Sequence, residues 1–311
     1  MSHNIKKINL NHSFIFFFIV NIFSVLIFKF NNINISTILC LFLILTIGVS
    51  HGSLDYLKGK KLLELFNIQR TYLFYFLYVL IALGIIFAWI FFPSITLILF
   101  LIVASYHFGK EDTEFLFIDK SYLTEILYFF KGFLIILAPM YFHFQDTVNI
   151  FKLLLINNEV FYSILSFVEA NKIIEIGIFI STTSSIFLFL NKFEIIKFSI
   201  FLDFFSIIIL NYYLPPLIAF TIYFCFLHSI RHSISLAVEL DGNSLLNGFK
   251  IFVKKAIPLT ILTGVFCLIS LYLLNSGNNL DSSILKVIFI GLASLTFPHI
   301  LLEYLLEKYE K

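Results

Sequence analysis

Five of the chain's eight histidines lie inside long apolar runs. His51 falls in Gly48-Val-Ser50-His51-Gly52-Ser53-Leu54-Asp55, and His107 in Ser105-Tyr106-His107-Phe108-Gly109-Lys110-Glu111-Asp112. His228 and His232 share the string His228-Ser-Ile-Arg231-His232, and His299 follows Pro298. On a helix, positions four apart project from one face with Cβ atoms about 5–6 Å apart, so His228 and His232 can grip one metal ion. Imidazole suits Zn, Cu, Fe or Ni. With His51 and His107 added, an all-neutral shell leaves a divalent ion its full charge and open positions, where dioxygen could bind beside an apolar substrate. Zinc stays open on this reading. Asp55, four residues after His51, and Asp112, five after His107, are placed to receive the ring N–H of a ligating histidine. Arg231 is a costly charge at this depth and is expected to pair with Asp55, Asp112 or Glu303. For His299 the ordinary reading, a hydrogen-bond partner between helices, stands beside the functional one. His3 and His12 belong to an N-terminal tail, and His143 to an interface on the opposite side.

These residues need elements that hold them at one depth. Of 311 residues, 60% are hydrophobic and only 13% charged, with mean hydropathy +0.98. A soluble domain carries roughly 25% charged residues. A soluble globular protein, a disordered tail, a nucleic-acid binder and a disulfide scaffold are all excluded. A membrane helix takes about 20 mostly apolar residues. Runs at 13–29, 34–52, 71–92, 94–109, 122–142, 173–190, 196–213, 216–238, 256–274 and 284–304 meet that need. The sequence therefore predicts an all-α, polytopic membrane helix bundle of about ten spans (range 8–10), as a single integral-membrane domain over 1–311. Segment 150–168 is ambiguous. No small-residue cleavage site follows the run that begins at Ser13, which is expected to be the first span.

Ten passes with the N-terminus inside place fifteen basic residues, among them Lys58, Lys60, Lys61, Lys110 and Lys254, on one side. Lys29, Lys152, Lys172 and Lys286 fall on the other side or near it. Cytoplasmic loops carry excess Lys and Arg, so both termini are expected in the cytoplasm and the chain in the cytoplasmic (inner) membrane. Even-numbered spans then run toward the cytoplasm and bring all five histidines to that end of the bundle. Ionisable groups at bilayer depth cost about 2.5–3.5 kcal/mol each and tend to be functional.

The rest is less specific. A net charge of +2 implies no polyanionic partner. Cys40, Cys225 and Cys267, odd in number and inside apolar runs, read as core residues. Tyr106, Tyr223 and Phe226 could line a slot for a long conjugated chain, although ordinary membrane packing explains any one of them.

The ordered set His51-Gly-Ser-Leu-Asp55, Tyr106-His107-Phe-Gly109 with Asp112, His228-Ser-Ile-Arg231-His232 and Pro298-His299 resembles the Brp/Blh family. Its members are bacterial and archaeal membrane β-carotene 15,15′-dioxygenases. The resemblance spans most of the chain. It departs at Ser53, where the family usually shows Ala. It implies a multi-pass, Fe(2+)-dependent enzyme that uses O2 to cleave β-carotene at its central double bond into two all-trans-retinal molecules. Iron ligands are implied at His51, His107, His228 and His232, with Asp55, Asp112, Arg231 and His299 around them. Its substrates would come from the lipid bilayer, and a retinal-accepting rhodopsin-type protein would be a natural partner. A membrane di-iron carotenoid or lipid hydroxylase calls for more paired histidines than this chain offers. A haem-binding carrier, with His51 and His107 or His228 as axial ligands, is the non-enzymatic alternative. A transporter would be expected to show an internal repeat, and none is visible.

Overall fold

The computed structural model describes residues 2–30, 35–117, 121–275 and 279–309. All the regular elements among them are helical, and ten helical spans are long and apolar enough to cross a membrane. The chain is a multi-pass helix bundle. α1 (Ser2–Phe30) is followed by a broken second span. That span runs through α2 (Thr37–Leu43), a π-helical stretch (Ile44–Gly48), a 3-10 stretch (Val49–Leu54) and α3 (Asp55–Leu65). α4 (Tyr72–Phe91), α5 (Pro93–Glu111) and α6 (Tyr122–Phe142) come next. After α7 (Phe144–Leu153) and α8 (Glu159–Ala170), two further spans contain α9 (Ile173–Leu190) and α10 (Phe198–Tyr213). The eighth span is also broken: α11 (Pro216–Ile222), a π-helical stretch (Tyr223–Ser229) and α12 (Ile230–Leu240). α13 (Leu245–Asn275) and α14 (Leu280–Tyr309) close the bundle.

The breaks follow local chemistry. Pro93 opens α5 and Pro216 opens α11, each at a first helical turn where a missing N–H costs nothing. Ser121 caps α6, its hydroxyl accepting from the Thr124 N–H at 3.2 Å. The ambiguous segment 150–168 falls across two short helices, α7 and α8, neither long enough to span. The indole N–H of Trp89 pins their junction by donating to the Leu154 carbonyl at 2.9 Å. α1 extends further toward the N-terminus than its apolar run, so His12 is part of the helix rather than a tail, and its Nε2 lies 2.8 Å from the Phe226 carbonyl oxygen. The side chain of His3 lies outside the described residues.

Lipid tails are as apolar as leucine, so helices in a membrane associate through close packing and buried polar contacts. Both are present. A Cβ on Gly109 (α5) would overlap the Tyr128 carbonyl of α6, and one on Gly132 (α6) would overlap the Ser105 carbonyl of α5. Only glycine allows this approach, which seats the end of α5 that carries His107. Gly248 does the same for α13 against Ala237 of α12.

Candidate metal centre

The even-numbered spans bring the five histidines together. His51, His107, His228, His232 and His299 are all at most 7% exposed. The ring centroid of His51 lies 5.4 Å from that of His228, 5.1 Å from His232 and 5.7 Å from His299. His107 lies 5.3 Å from both His228 and His299. Ligand atoms of His51, His107 and His299 are mutually within 4.8 Å, and so are those of His232, His299 and Glu303.

Three acidic side chains orient three of the rings. His228 Nδ1 meets Asp112 Oδ1 at 3.1 Å, and His232 Nδ1 meets Glu111 Oε2 at 2.9 Å. His299 Nδ1 lies 2.9 Å from both oxygens of Asp55. A carboxylate accepts, so each Nδ1 must carry the proton, which leaves Nε2 with a lone pair. The Nε2 atoms of His228, His232 and His299 are buried without a hydrogen-bond partner among the described residues, as is His51 Nδ1. Glu303 adds to the crowd. Its Oε1 lies 3.5 Å from His299 Nε2 and 3.9 Å from His232 Nε2, and its Oε2 3.7 Å from His107 Nδ1. Lone pairs turned toward one another in an apolar interior repel, and burying them unpaired costs about 1–3 kcal/mol each. A cation among them removes both penalties. Lys58, 2.7 Å from Glu303 Oε1, supplies positive charge at the edge.

The pairings differ from the sequence expectation in three places. Asp55 serves His299, not His51, and also accepts from the Tyr78 hydroxyl at 2.8 Å. Asp112 serves His228, not His107, and accepts from the Tyr223 hydroxyl at 2.6 Å. Arg231 pairs with none of the three expected carboxylates. It grips Asp203 of α10 with two bonds of 2.7 and 3.1 Å and donates to Ser13 Oγ at 2.8 Å. Its third contact, 3.0 Å to the Asp112 carbonyl, ties this pair to the acid that orients His228. His299, expected around the ligands, projects Nε2 into the same space as they do. Glu111 and Asp203 were given no role by the motifs. Asp203 had one available signal, as the lone acid of an apolar span.

A cavity of about 270 Å³ adjoins His51, His107 and His299. Its other walls are mainly apolar, including Phe74, Phe224, Leu262 and Phe266. Leu262 is 49% exposed and Phe266 61%, on the lipid-facing side of α13, while Tyr75 and Val79 of α4 form the facing edge. The cavity thus opens sideways into the bilayer. None of the three aromatics expected to line such a slot does so. Tyr106 donates to Glu125 at 2.5 Å, Tyr223 is buried against Asp112, and Phe226 faces a separate apolar pocket near α1.

Fold and site together define a multi-pass membrane protein with a buried, histidine-rich centre beside a lipid-accessible apolar cavity. Residues 42–307 match the family model described as beta-carotene 15,15'-dioxygenase. The chain is 27% identical over 266 residues to the beta-carotene 15,15'-dioxygenase of uncultured marine bacterium 66A03, covering 84% of this chain and 90% of that protein. No solved structure matches. The chain belongs to the β-carotene 15,15′-dioxygenase family, a class of carotenoid-cleaving enzymes, and the matched region contains all five histidines.

Proposed function

We propose that the chain cleaves β-carotene with O2 at the central 15,15′ double bond, giving two molecules of retinal, at an Fe(2+) ion held among the five histidines. The observation that carries this reading is the set of buried imidazole nitrogens, without partners among the described residues, next to an apolar cavity open to lipid. His51, His107, His228 and His232 are the proposed ligands, and His299 joins them because its Nε2 shares their space. Bound there, ferrous iron supplies the redox chemistry that lets dioxygen react with an alkene.

The protein's own part is positioning. Both oxygen atoms enter the products as aldehyde oxygens while the carbon–carbon double bond breaks, and no proton is gained or lost. The site therefore needs no general acid. Asp55, Glu111 and Asp112 instead hold the Nδ1 protons of His299, His232 and His228, so that each Nε2 lone pair stays pointed inward. Phe224 lies close to the His228 ring (centroids 5.8 Å, interplanar 15°) and gives the cavity an aromatic wall against which a polyene can lie. The apolar lining keeps water from the reacting carbons. The rings of His51, His232 and His299 lie 5.1–5.9 Å apart, more imidazoles in one place than the two axial ligands a haem takes, which disfavours the haem reading.

In this reading the histidine end of the bundle faces the cytoplasm, which the excess of basic residues at that end supports. Expression in cells that make β-carotene, followed by retinoid extraction, tests the activity. Retinal should accumulate, and its absence from cells containing inserted, iron-loaded protein refutes the proposal. Activity in His228→Ala would overturn the ligand assignment.

A further inference from the structure

Two cavities meet the histidine cluster, and they differ in chemistry. The apolar one takes in His51, His107 and His299. The other, of about 390 Å³, is reached by His232 and walled by Glu111, Glu114, Glu125, Glu239 and Glu303, with Lys58 and Lys110. No histidine is shared between the two linings, so the cluster stands as a partition between them. Glu239 is exposed and marks the chamber's mouth, whereas Glu303 lies beside the imidazoles.

We propose that this polar chamber is the route by which a divalent cation reaches the histidines from water, separate from the path of the carotenoid through the bilayer. The proposal rests on reading the histidine cluster as a metal site. A bare divalent ion cannot enter through the apolar cavity, because stripping its hydration without replacement costs tens of kcal/mol. The chamber offers replacement. Five carboxylates face it, and its two lysines are engaged, Lys58 with Glu303 and Lys110 with Glu307. Carboxylate oxygens of Glu111 and Glu303 and a ring nitrogen of His107 lie mutually within 4.8 Å, a halfway set between hydrated and all-imidazole coordination. An independent feature points the same way. His232, at 7% exposure, lines the chamber and has an Nε2 without a hydrogen-bond partner among the described residues. The ion would pass from the Glu239 mouth to Glu303 and Glu111, then to His232 and its neighbours.

Ser235 lies on the chamber wall, half-buried, one helical turn beyond His232. Ser235→Cys in the full-length, metal-free protein is to be treated with a cationic methanethiosulfonate reagent after folding. Uptake of Co(II), the probe, is then followed by its visible absorption. The cysteine should label, and labelling should slow uptake by about tenfold or more, the range over which a charged cleft alters ion capture. The final amount of bound Co(II) should not change. Leu262→Trp, which narrows the apolar cavity, should leave the uptake rate as it was. Failure to label, an unchanged rate after labelling, or equal slowing by Leu262→Trp would each overturn the separate route. Stoichiometric uptake by the unmodified protein tests the metal site itself, and its absence would refute that reading instead.

Discussion

Asp55→Asn exchanges one carboxylate oxygen for an NH2 group and should weaken metal binding through a residue that touches no metal. Asp55 is 4% exposed and serves two donors, the His299 Nδ1–H and the Tyr78 hydroxyl, the latter at Oδ2. An asparagine side chain has one acceptor oxygen and presents N–H groups on the other side. If Tyr78 keeps the oxygen, the His299 ring faces a donor and must turn away or move its proton to Nε2, which removes the lone pair directed at the centre. Losing such an orienting partner typically costs 10–100-fold in metal affinity, about 1.4–2.8 kcal/mol at 1.4 kcal/mol per decade. A Co(II) titration of detergent-solubilised protein against a chromophoric chelator measures this directly. The pairing itself is tested by a double-mutant cycle, since groups acting through one contact are not additive. Asp55→Asn should add little to His299→Ala but act at nearly full strength in His51→Ala. The opposite pattern would restore the pairing suggested by sequence spacing and refute the geometry.

Asp203→Leu should destabilise the bundle by about 3–5 kcal/mol, because it strands a buried guanidinium. Arg231→Met in the same chain should recover much of that loss in reversible SDS unfolding, while metal affinity stays low because the Asp112 carbonyl loses its anchor. Gly132→Ala pushes a methyl group into the Ser105 carbonyl. It should cost about 1–3 kcal/mol in the same assay and lower retinal output even with iron in excess. Orientation is open to a labelling test in intact cells. A membrane-impermeant maleimide should react with Val160→Cys, on exposed α8, and not with Tyr309→Cys at the end of α14.

The spans were legible because length and apolarity alone decide them. Runs 122–142 and 173–190 coincide with α6 and α9 to the residue, and the boundaries drift furthest where polar ends continue the helix, as at α13 and α14. The convergence of the histidines was legible too, since a one-sided charge pattern fixes which ends of the helices share a depth. The partners were not. Spacing compares neighbours on one regular helix, and here each orienting acid comes from a different span from the histidine it serves. Asp55 follows a 3-10 stretch, so a residue four positions earlier does not lie directly beneath it. The pairing of Asp203 could not be read, because nothing in its own span refers to Arg231, one span further on. Aromatic content misled for a plainer reason: with 42 phenylalanines, position in sequence says little about which of them border the cavity.

The two π-helical stretches carry a consequence for how this chain tolerates change. Gly48 ends one and Phe224 lies in the other, so close that a Cβ on Gly48 would come within 2.6 Å of the Phe224 ring. The Ser229 hydroxyl donates to the Gly48 carbonyl at 3.0 Å, so irregular backbone at membrane depth finds its partner within the protein. A π stretch holds surplus chain within a helix that is otherwise α-helical. Losing one residue between Tyr223 and Leu227 would restore a regular helix, still long and apolar enough to insert. Because the wide turn already absorbs that residue, His228 and His232 would keep nearly the same face, whereas losing one residue from the regular turn Pro216–Ile222 would rotate them by about 100° around the axis. Insertion into the bilayer and assembly of the centre are thus separable traits in this sequence, and a single-codon deletion could abolish the second while sparing the first.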